Sequence, residues 1–305
     1  MSNECAGAIP AAYAAQIFDE AKVPYVLWGH WAVAMFGRNK AFPDVDFIIA
    51  DAEPNAATKP LDTAIAALSA KGIHRCTDAS CQEWTSDRAP PVTAPVNVKD
   101  PIDWEEVGQN LADNRLHAVG DAHFHLESTY TYFTVLTLYS QTRILWWMPR
   151  LSLQPVTPTD PNFMLTNDVR LFPPGPRGPT GPWTELYPVR ILRINKLAEA
   201  IILLRIRDGH RGDVNRCWER MWLNLLGDTP ADGQLTPQML KLREEINPRY
   251  RIIVDQFCGL PTGRTARIGL IWKEFRDEML ETGEMGRMPS LHPKDVIQRM
   301  GKYLP

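Results

Sequence analysis

Asp44 and Asp46 are the residues whose type and spacing point most directly to chemistry in this chain. They lead into the unbroken apolar run Phe47-Ile48-Ile49, which is typical of a strand buried on both faces. Side chains alternate along a strand, so residues at positions i and i+2 face the same way. Two carboxylates on one face suit a divalent cation such as Mg²⁺. In the alternative structural interpretation, one carboxylate caps the strand and the other is solvated.

A glycine turn, Gly29-His30, precedes the two aspartates. It ends the apolar run Val26-Leu27-Trp28 and begins a helical run from Trp31 to Phe36. Free N–H groups at the start of a helix can hold a phosphate. If the aspartate strand pairs with the strand before the turn, both features lie at one end of the sheet, where a nucleoside triphosphate and its metal would fit. Trp31 is then placed to stack on a base, and a core position is the alternative.

A second constellation combines two imidazoles with a carboxylate. His123, His125 and Glu127 alternate along a predicted strand and therefore share a face. Such a set can ligate a metal ion, and it can equally serve in general acid–base catalysis. The structural alternative is that one histidine packs against aromatic side chains while the other is solvated.

Basic residues form a third group, much later in the chain. Lys196, Arg205, Arg207 and Arg211 are candidates for phosphate contacts, since arginine binds phosphate in a bidentate manner and lysine acts as a point charge. They equally suit the C-terminal end of a helix, where cations complement the helix dipole and pair with nearby aspartates. The sequence leaves both interpretations open.

The elements that must position these residues alternate between helix and strand. A helix at Ala11 to Ala21 precedes the first strand, and another at Pro60 to Lys71 follows the aspartate strand, so the order is helix, strand, helix, strand, helix. This order indicates an α/β core. Two further segments, Ala122 to Glu127 and Phe133 to Trp147, are rich in β-branched and aromatic residues and are predicted to extend the sheet as antiparallel ribbons.

Proline-rich segments divide the chain. Residues 73–120 carry Pro90-Pro91 and further prolines in mostly polar sequence, and we predict an irregular insertion there. A second proline-rich loop ends at Trp183. We therefore predict an α/β domain at residues 1–183 and a helical module at residues 184–305.

Length, charge and cysteine content favour some classes of protein over others. A chain of 305 residues with 44% hydrophobic content can bury a large core. The net charge of −3 provides no general attraction for nucleic acid. We find neither a signal peptide nor an apolar run long enough to span a membrane, so a cytoplasmic protein is expected. Because the charge disfavours a polynucleotide, the expected partner is a small-molecule substrate. The five scattered cysteines favour reduced thiols over a disulfide framework or a zinc site.

The segments Trp28-Gly29-His30 and Asp44-Val45-Asp46 together resemble the signature of the nucleotidyltransferase fold, the superfamily of DNA polymerase β and the small antibiotic-modifying nucleotidyltransferases. That signature is a strand ending in glycine and a small residue, a helix, and an Asp-x-Asp strand. The chain is most similar to uncharacterised fungal proteins of this kind. The resemblance covers Ala11 to Gly72 and Tyr187 to Leu226, where the helix carrying Lys196 is similar to the element that such enzymes place beside the triphosphate.

The resemblance implies a nucleotidyltransferase-like mixed sheet with flanking helices, a C-terminal helical module, and Mg²⁺ with a nucleoside triphosphate at the aspartates. Two residues depart from the pattern. His30 occupies a position that is usually glycine or serine. The family's active members carry a third carboxylate on a later strand, for which Glu127 is the best candidate here.

Three functional hypotheses follow. The first is transfer of a nucleotidyl group from a magnesium-bound nucleoside triphosphate to the hydroxyl of a small molecule or of a protein. The second keeps the fold but places a different small-molecule reaction in the cleft, within fungal specialised metabolism, with His30, His123 or His125 as acid or base. The third is a binding protein without enzymatic activity.

Overall fold

The central element of the protein is a mixed β-sheet. The computed structural model describes residues 7–38, 44–53, 58–84, 117–126, 135–175, 179–208, 212–227, 235–260 and 268–285. Within these ranges, six strands form one sheet. They are β1 (Tyr25–Trp28), β2 (Val45–Ile49), β3 (Ala122–His125), β4 (Val135–Ser140), β5 (Phe163–Leu165) and β6 (Arg190–Leu192).

The order of the strands in the sheet is β3-β4-β2-β1-β6-β5. The two central strands, β1 and β2, are antiparallel to each other. Each has a parallel neighbour on its other side, because β1 pairs with β6 and β2 pairs with β4. The outer strands β3 and β5 are antiparallel to β4 and β6. The prediction of antiparallel ribbons is therefore right for β3 with β4 but wrong for β4 with β2.

Helices cover both faces of this sheet, so the mixed α/β class with flanking helices is confirmed. In the first half, the predicted order of helix, strand, helix, strand, helix is found. The helices there are α1 (Ala8–Glu20), α2 (Gly29–Ala34), α3 (Pro60–Ala70) and α4 (Gln141–Ile144). The short α4 lies inside the segment predicted as one long strand from Phe133 to Trp147, which instead ends at Ser140.

Helices dominate the second half of the chain, as predicted. They are α5 (Ile194–Asp208), α6 (Gly212–Leu226), α7 (Pro237–Glu245), α8 (Arg251–Phe257) and α9 (Ile268–Glu281). Helix α5 is buried over nearly its full length, and its buried residues include the charged side chains Glu199, Arg205, Arg207 and Asp208 as well as a long apolar run. The predicted boundary at residue 183 falls between β5 and β6, which pair with each other, so the sheet continues into the predicted helical module.

The two faces of the sheet contact different helices. Tyr25 and Phe47 face α1, where the rings of Phe18 and Phe47 lie 5.2 Å apart. The alternate face carries Trp28, whose ring lies 6.3 Å from that of Trp218 in α6. Asp46 is directly opposite Trp28 in the strand register and therefore belongs to the α6 face. Among the described helices, none has the length and apolar character that crossing a membrane requires.

Candidate functional site

The carboxylates of Asp44 and Asp46 lie where β2 begins, beside the end of β1. Asp46 pairs with Trp28, and Asp44 precedes it by two residues on the same face. Asp44 Oδ1 accepts a hydrogen bond from the backbone N–H of Val135, the first residue of β4, at 3.1 Å. This bond fixes the direction of the Asp44 side chain, as the strand-capping interpretation requires. Both aspartates are partly exposed, so the pair remains accessible from one end of the sheet.

Gly29 touches the second carboxylate. Its φ of +69° lies in the left-handed region that favours glycine. A Cβ atom at this position would lie 2.0 Å from Asp46 Oδ2. Glycine is thus required both by its backbone conformation and by the approach of the carboxylate. The predicted pairing of the two strands is confirmed, and it brings the turn and the aspartate pair to the same end of the sheet.

Helix α2, which follows the turn, is short and mostly buried. It contains six residues, and His30 in its first turn is partly buried. Trp31 is only 3% exposed, and its ring packs 5.9 Å from that of Trp183. No ring face of Trp31 is available to stack on a base, so its predicted role in nucleotide binding is replaced by a position in the core.

A row of directly opposed residues crosses the sheet beside the aspartates. Trp28 is opposite Asp46, Asp46 is opposite Thr137, and Thr137 is opposite His123. The neighbour of Asp46 on β4 is thus a buried threonine. Within the described ranges, no third histidine, cysteine or acidic side chain joins Asp44 and Asp46 closely enough to share an ion. Glu127, the predicted third carboxylate, lies outside the described residues.

The described cations that were predicted to bind phosphate have partners other than Asp44 and Asp46. Lys196 Nζ is 2.8 Å from Glu199 Oε2, in the wall of a cavity of about 480 Å³ that neither aspartate lines. Arg207 is 2% exposed and forms a buried ion pair with Asp208. Burial also lowers the pKa of Arg205. The enclosed guanidinium of Arg207 agrees with the alternative interpretation, pairing with a nearby aspartate, rather than with a phosphate contact. Arg211 lies outside the described residues.

His123 and His125 do come together, with partners that the sequence interpretation did not assign. His123 is buried and His125 is exposed, and their rings are 5.3 Å apart. Cys81 Sγ lies 3.3 Å from His123 Nε2 and 3.4 Å from His125 Nε2. Cys76 completes a group whose four ligand atoms all lie within 4.8 Å of one another. Burial is the main cause that raises the pKa of the Cys81 thiol to about 11.

The four described cysteines are free thiols, as expected, but Cys76 and Cys81 are not scattered. The sequence does carry a signal for this group, a Cys-x₄-Cys pair followed by His-x-His. That signal is missed when only the shorter Cys-x-x-Cys spacing is sought. Cys76 and Cys81 are therefore the members of this group that sequence reasoning overlooked, while it had already named the two histidines as candidates.

Two sites thus lie on one face of the sheet, separated by strand β4. The aspartate site comprises Gly29, Asp44 and Asp46, and the cysteine–histidine cluster comprises Cys76, Cys81, His123 and His125. Neighbouring strands are about 4.8 Å apart, so the sites are about 10 Å from each other. Comparison of the chain with family models, with characterised proteins and with solved structures gives no match.

Proposed function

We propose that this protein is a nucleotidyltransferase-like enzyme that binds a nucleoside triphosphate with Mg²⁺ at the aspartate site. It would transfer the nucleotidyl group to a hydroxyl of a small molecule or of a protein. The observation that carries this proposal is the contact between Gly29 and Asp46, in which an Asp-x-Asp strand and a glycine turn converge at one end of paired strands. A left-handed glycine leaves room for the close approach of the Asp46 carboxylate.

The donor set of the aspartate site fits one Mg²⁺ ion. Asp44 and Asp46 supply two carboxylates from one face, and Mg²⁺ is commonly bound by one or two carboxylates together with substrate phosphates and water. When bound, the ion would neutralise charge on the triphosphate and on the leaving pyrophosphate. The described residues do not provide for a second ion, because no further acid joins the pair and the residue opposite Asp46 on β4 is Thr137.

The proposed reaction forms one bond and breaks one. The acceptor hydroxyl oxygen forms a bond to the α-phosphorus, the bond from that phosphorus to the bridging oxygen breaks, pyrophosphate leaves, and the hydroxyl proton passes to water. The chain's own residues fix the two carboxylates that would hold the ion: the backbone N–H of Val135 donates to Asp44, and Asp46 lies against Gly29. The net charge of −3 favours a small acceptor over a polynucleotide.

One observation favours a second candidate function. The neighbour of Asp46 on β4 is a threonine, so the aspartate site lacks a third acid among the described residues. The same cleft could then catalyse a different small-molecule reaction, with His30 beside the turn as acid or base. Such an activity would need no nucleotide and would survive treatment with EDTA.

Asp46→Asn tests the leading proposal, because it removes the charge but keeps the size of the side chain. We expect transfer from α-labelled nucleoside triphosphates, in the presence of Mg²⁺, to fall to background in this variant. Asp62→Asn, at an exposed position in the first turn of α3, is the matched control and should retain full activity. Equal transfer by Asp46→Asn and by the unmodified protein would exclude the aspartate site as the catalytic centre.

A further inference from the structure

The cysteine–histidine cluster has the composition and geometry of a metal site. Its four side chains come from two segments that are far apart in sequence and contribute two sulfur and two nitrogen atoms, all within 4.8 Å of one another. We propose that Cys76, Cys81, His123 and His125 bind one Zn²⁺ ion in a closed tetrahedral site. This proposal is independent of the proposed function, since no residue is shared between the two sites.

The distances within the cluster agree with ligation of a single ion. With Zn–S bonds of about 2.3 Å and Zn–N bonds of about 2.0–2.1 Å, a tetrahedral angle separates a sulfur ligand from a nitrogen ligand by about 3.6 Å. Cys81 Sγ lies 3.3 Å from His123 Nε2 and 3.4 Å from His125 Nε2. Both distances are within a few tenths of an ångström of the separation expected for two ligands of one zinc ion.

The donor atoms favour zinc over other ions. Magnesium and calcium prefer oxygen ligands, of which the cluster has none. An iron–sulfur centre with two cysteines and two histidines holds the thiolates on one iron and the imidazoles on the other. Cys81 instead contacts both imidazoles, which fits one ion rather than a cluster of two. A tetrahedral set of two sulfur and two nitrogen ligands is typical of zinc.

The backbone around the cluster orients all four ligands. His123 and His125 alternate along β3, so both imidazoles lie on the same face of that strand. The backbone N–H of Cys76 donates to the carbonyl oxygen of His123 at 2.9 Å, which fixes the first cysteine against the strand. The ring of Trp84 packs 4.4 Å from that of His123 and shields it from solvent.

A turn at Asp78 brings the second cysteine back to the strand. The Asp78 carboxylate accepts hydrogen bonds from the backbone N–H and the hydroxyl of Ser80, both at 2.7 Å. The Asp78 carbonyl oxygen accepts from the backbone N–H of Cys81 and from Trp84 Nε1. The four residues between Cys76 and Cys81 therefore form an ordered turn whose ends present both sulfur atoms to the imidazoles.

The proposed site is structural rather than catalytic. Its four protein ligands complete a tetrahedron and leave no position for water or substrate, as in zinc sites that stabilise folds. Strand β3 is an edge of the sheet, and its outer side carries only the isolated bridge between Arg75 and Phe124 in the described residues. Zinc would hold residues 75–84 against β3. This edge strand would then be covered and could not pair with a strand of another chain.

Metal analysis of the full-length protein, purified without chelators, tests this proposal. We expect about one zinc per chain, with absorption-edge spectroscopy showing sulfur neighbours at about 2.3 Å and nitrogen neighbours at about 2.0–2.1 Å. Cys81→Ser and His123→Asn should lose the zinc. Cys258→Ala, a buried thiol at the end of α8, and His74→Asn, an exposed histidine two residues before Cys76, should retain it.

The midpoint temperature of thermal unfolding, measured on the unmodified protein, tests the proposal without relying on variants that must fold. A chelator should lower this midpoint, and Zn²⁺ should restore it while Mg²⁺ should not. Two results would overturn the proposal: zinc content that is equal in Cys81→Ser and the unmodified protein, or a protein that takes up no zinc on reconstitution.

Discussion

Asp208→Ala should lower the free energy of unfolding by about 3–5 kcal/mol, because it leaves a charged guanidinium in the core without its carboxylate. Arg207 Nε and Nη2 each donate to Asp208 at 2.9 Å, and the two side chains are 2% and 1% exposed. Trp218 Nε1 donates to the same carboxylate at 2.9 Å and would lose its acceptor too. Urea denaturation followed by tryptophan fluorescence measures the loss.

Asp277→Ala is the matched control for this substitution. Asp277 pairs with Lys273 one helical turn away, and the two side chains are 51% and 70% exposed. Exposed pairs of this kind contribute about 0.3–0.5 kcal/mol, so the control should be nearly neutral. Combining Asp208→Ala with Arg207→Met should restore part of the stability, since it removes the unpaired charge. Similar losses for Asp208→Ala and Asp277→Ala would contradict the assignment of Arg207 to the buried core.

Gly29→Ala should both destabilise the protein and displace the Asp46 carboxylate. A left-handed conformation costs a residue other than glycine about 1–3 kcal/mol. The added Cβ would also lie 2.0 Å from Asp46 Oδ2, so the carboxylate must move. We expect a loss of stability larger than the backbone strain alone, together with loss of magnesium-dependent nucleotide binding.

Gly72→Ala separates these two effects. Gly72 has a φ of +83°, and a Cβ there would meet no atom within 4 Å. This variant therefore carries the backbone strain without the contact to a carboxylate. It should lose about 1–3 kcal/mol of stability and bind nucleotide normally. If Gly29→Ala is no less stable than Gly72→Ala and binds nucleotide equally well, Asp46 does not depend on the glycine turn.

The sequence predicted those parts of the fold that are encoded locally. The order from α1 to α3 follows from hydrophobic periodicity within short windows, and each element was found. The parallel pairing of β2 with β4 could not be predicted in this way, because the two strands are separated by residues 50–134. The same holds for β6, which enters the sheet beside β1 from beyond the predicted boundary at residue 183.

The two candidate sites differ in the same way, because one is encoded within a short stretch of sequence and the other joins distant segments. Gly29 and Asp46 lie within one predicted strand–turn–helix–strand unit, so their convergence could be expected. Cys81 is separated from His123 by 42 residues, and only the folded chain shows that they meet. Trp31 and Arg207 were assigned to nucleotide binding from their residue types and their positions along the chain. Their burial, at 3% and 2% exposure, is set by tertiary packing that residue type does not encode.

The most direct test of the account is a calorimetric titration of nucleoside triphosphate into the full-length protein, with and without Mg²⁺. We predict binding that requires Mg²⁺, that is lost when Asp44 and Asp46 are both replaced by asparagine, and that persists in Asp62→Asn. The account would be contradicted if no nucleoside triphosphate binds in the presence of Mg²⁺. It would equally be contradicted if binding is the same without Mg²⁺ or in the doubly substituted protein.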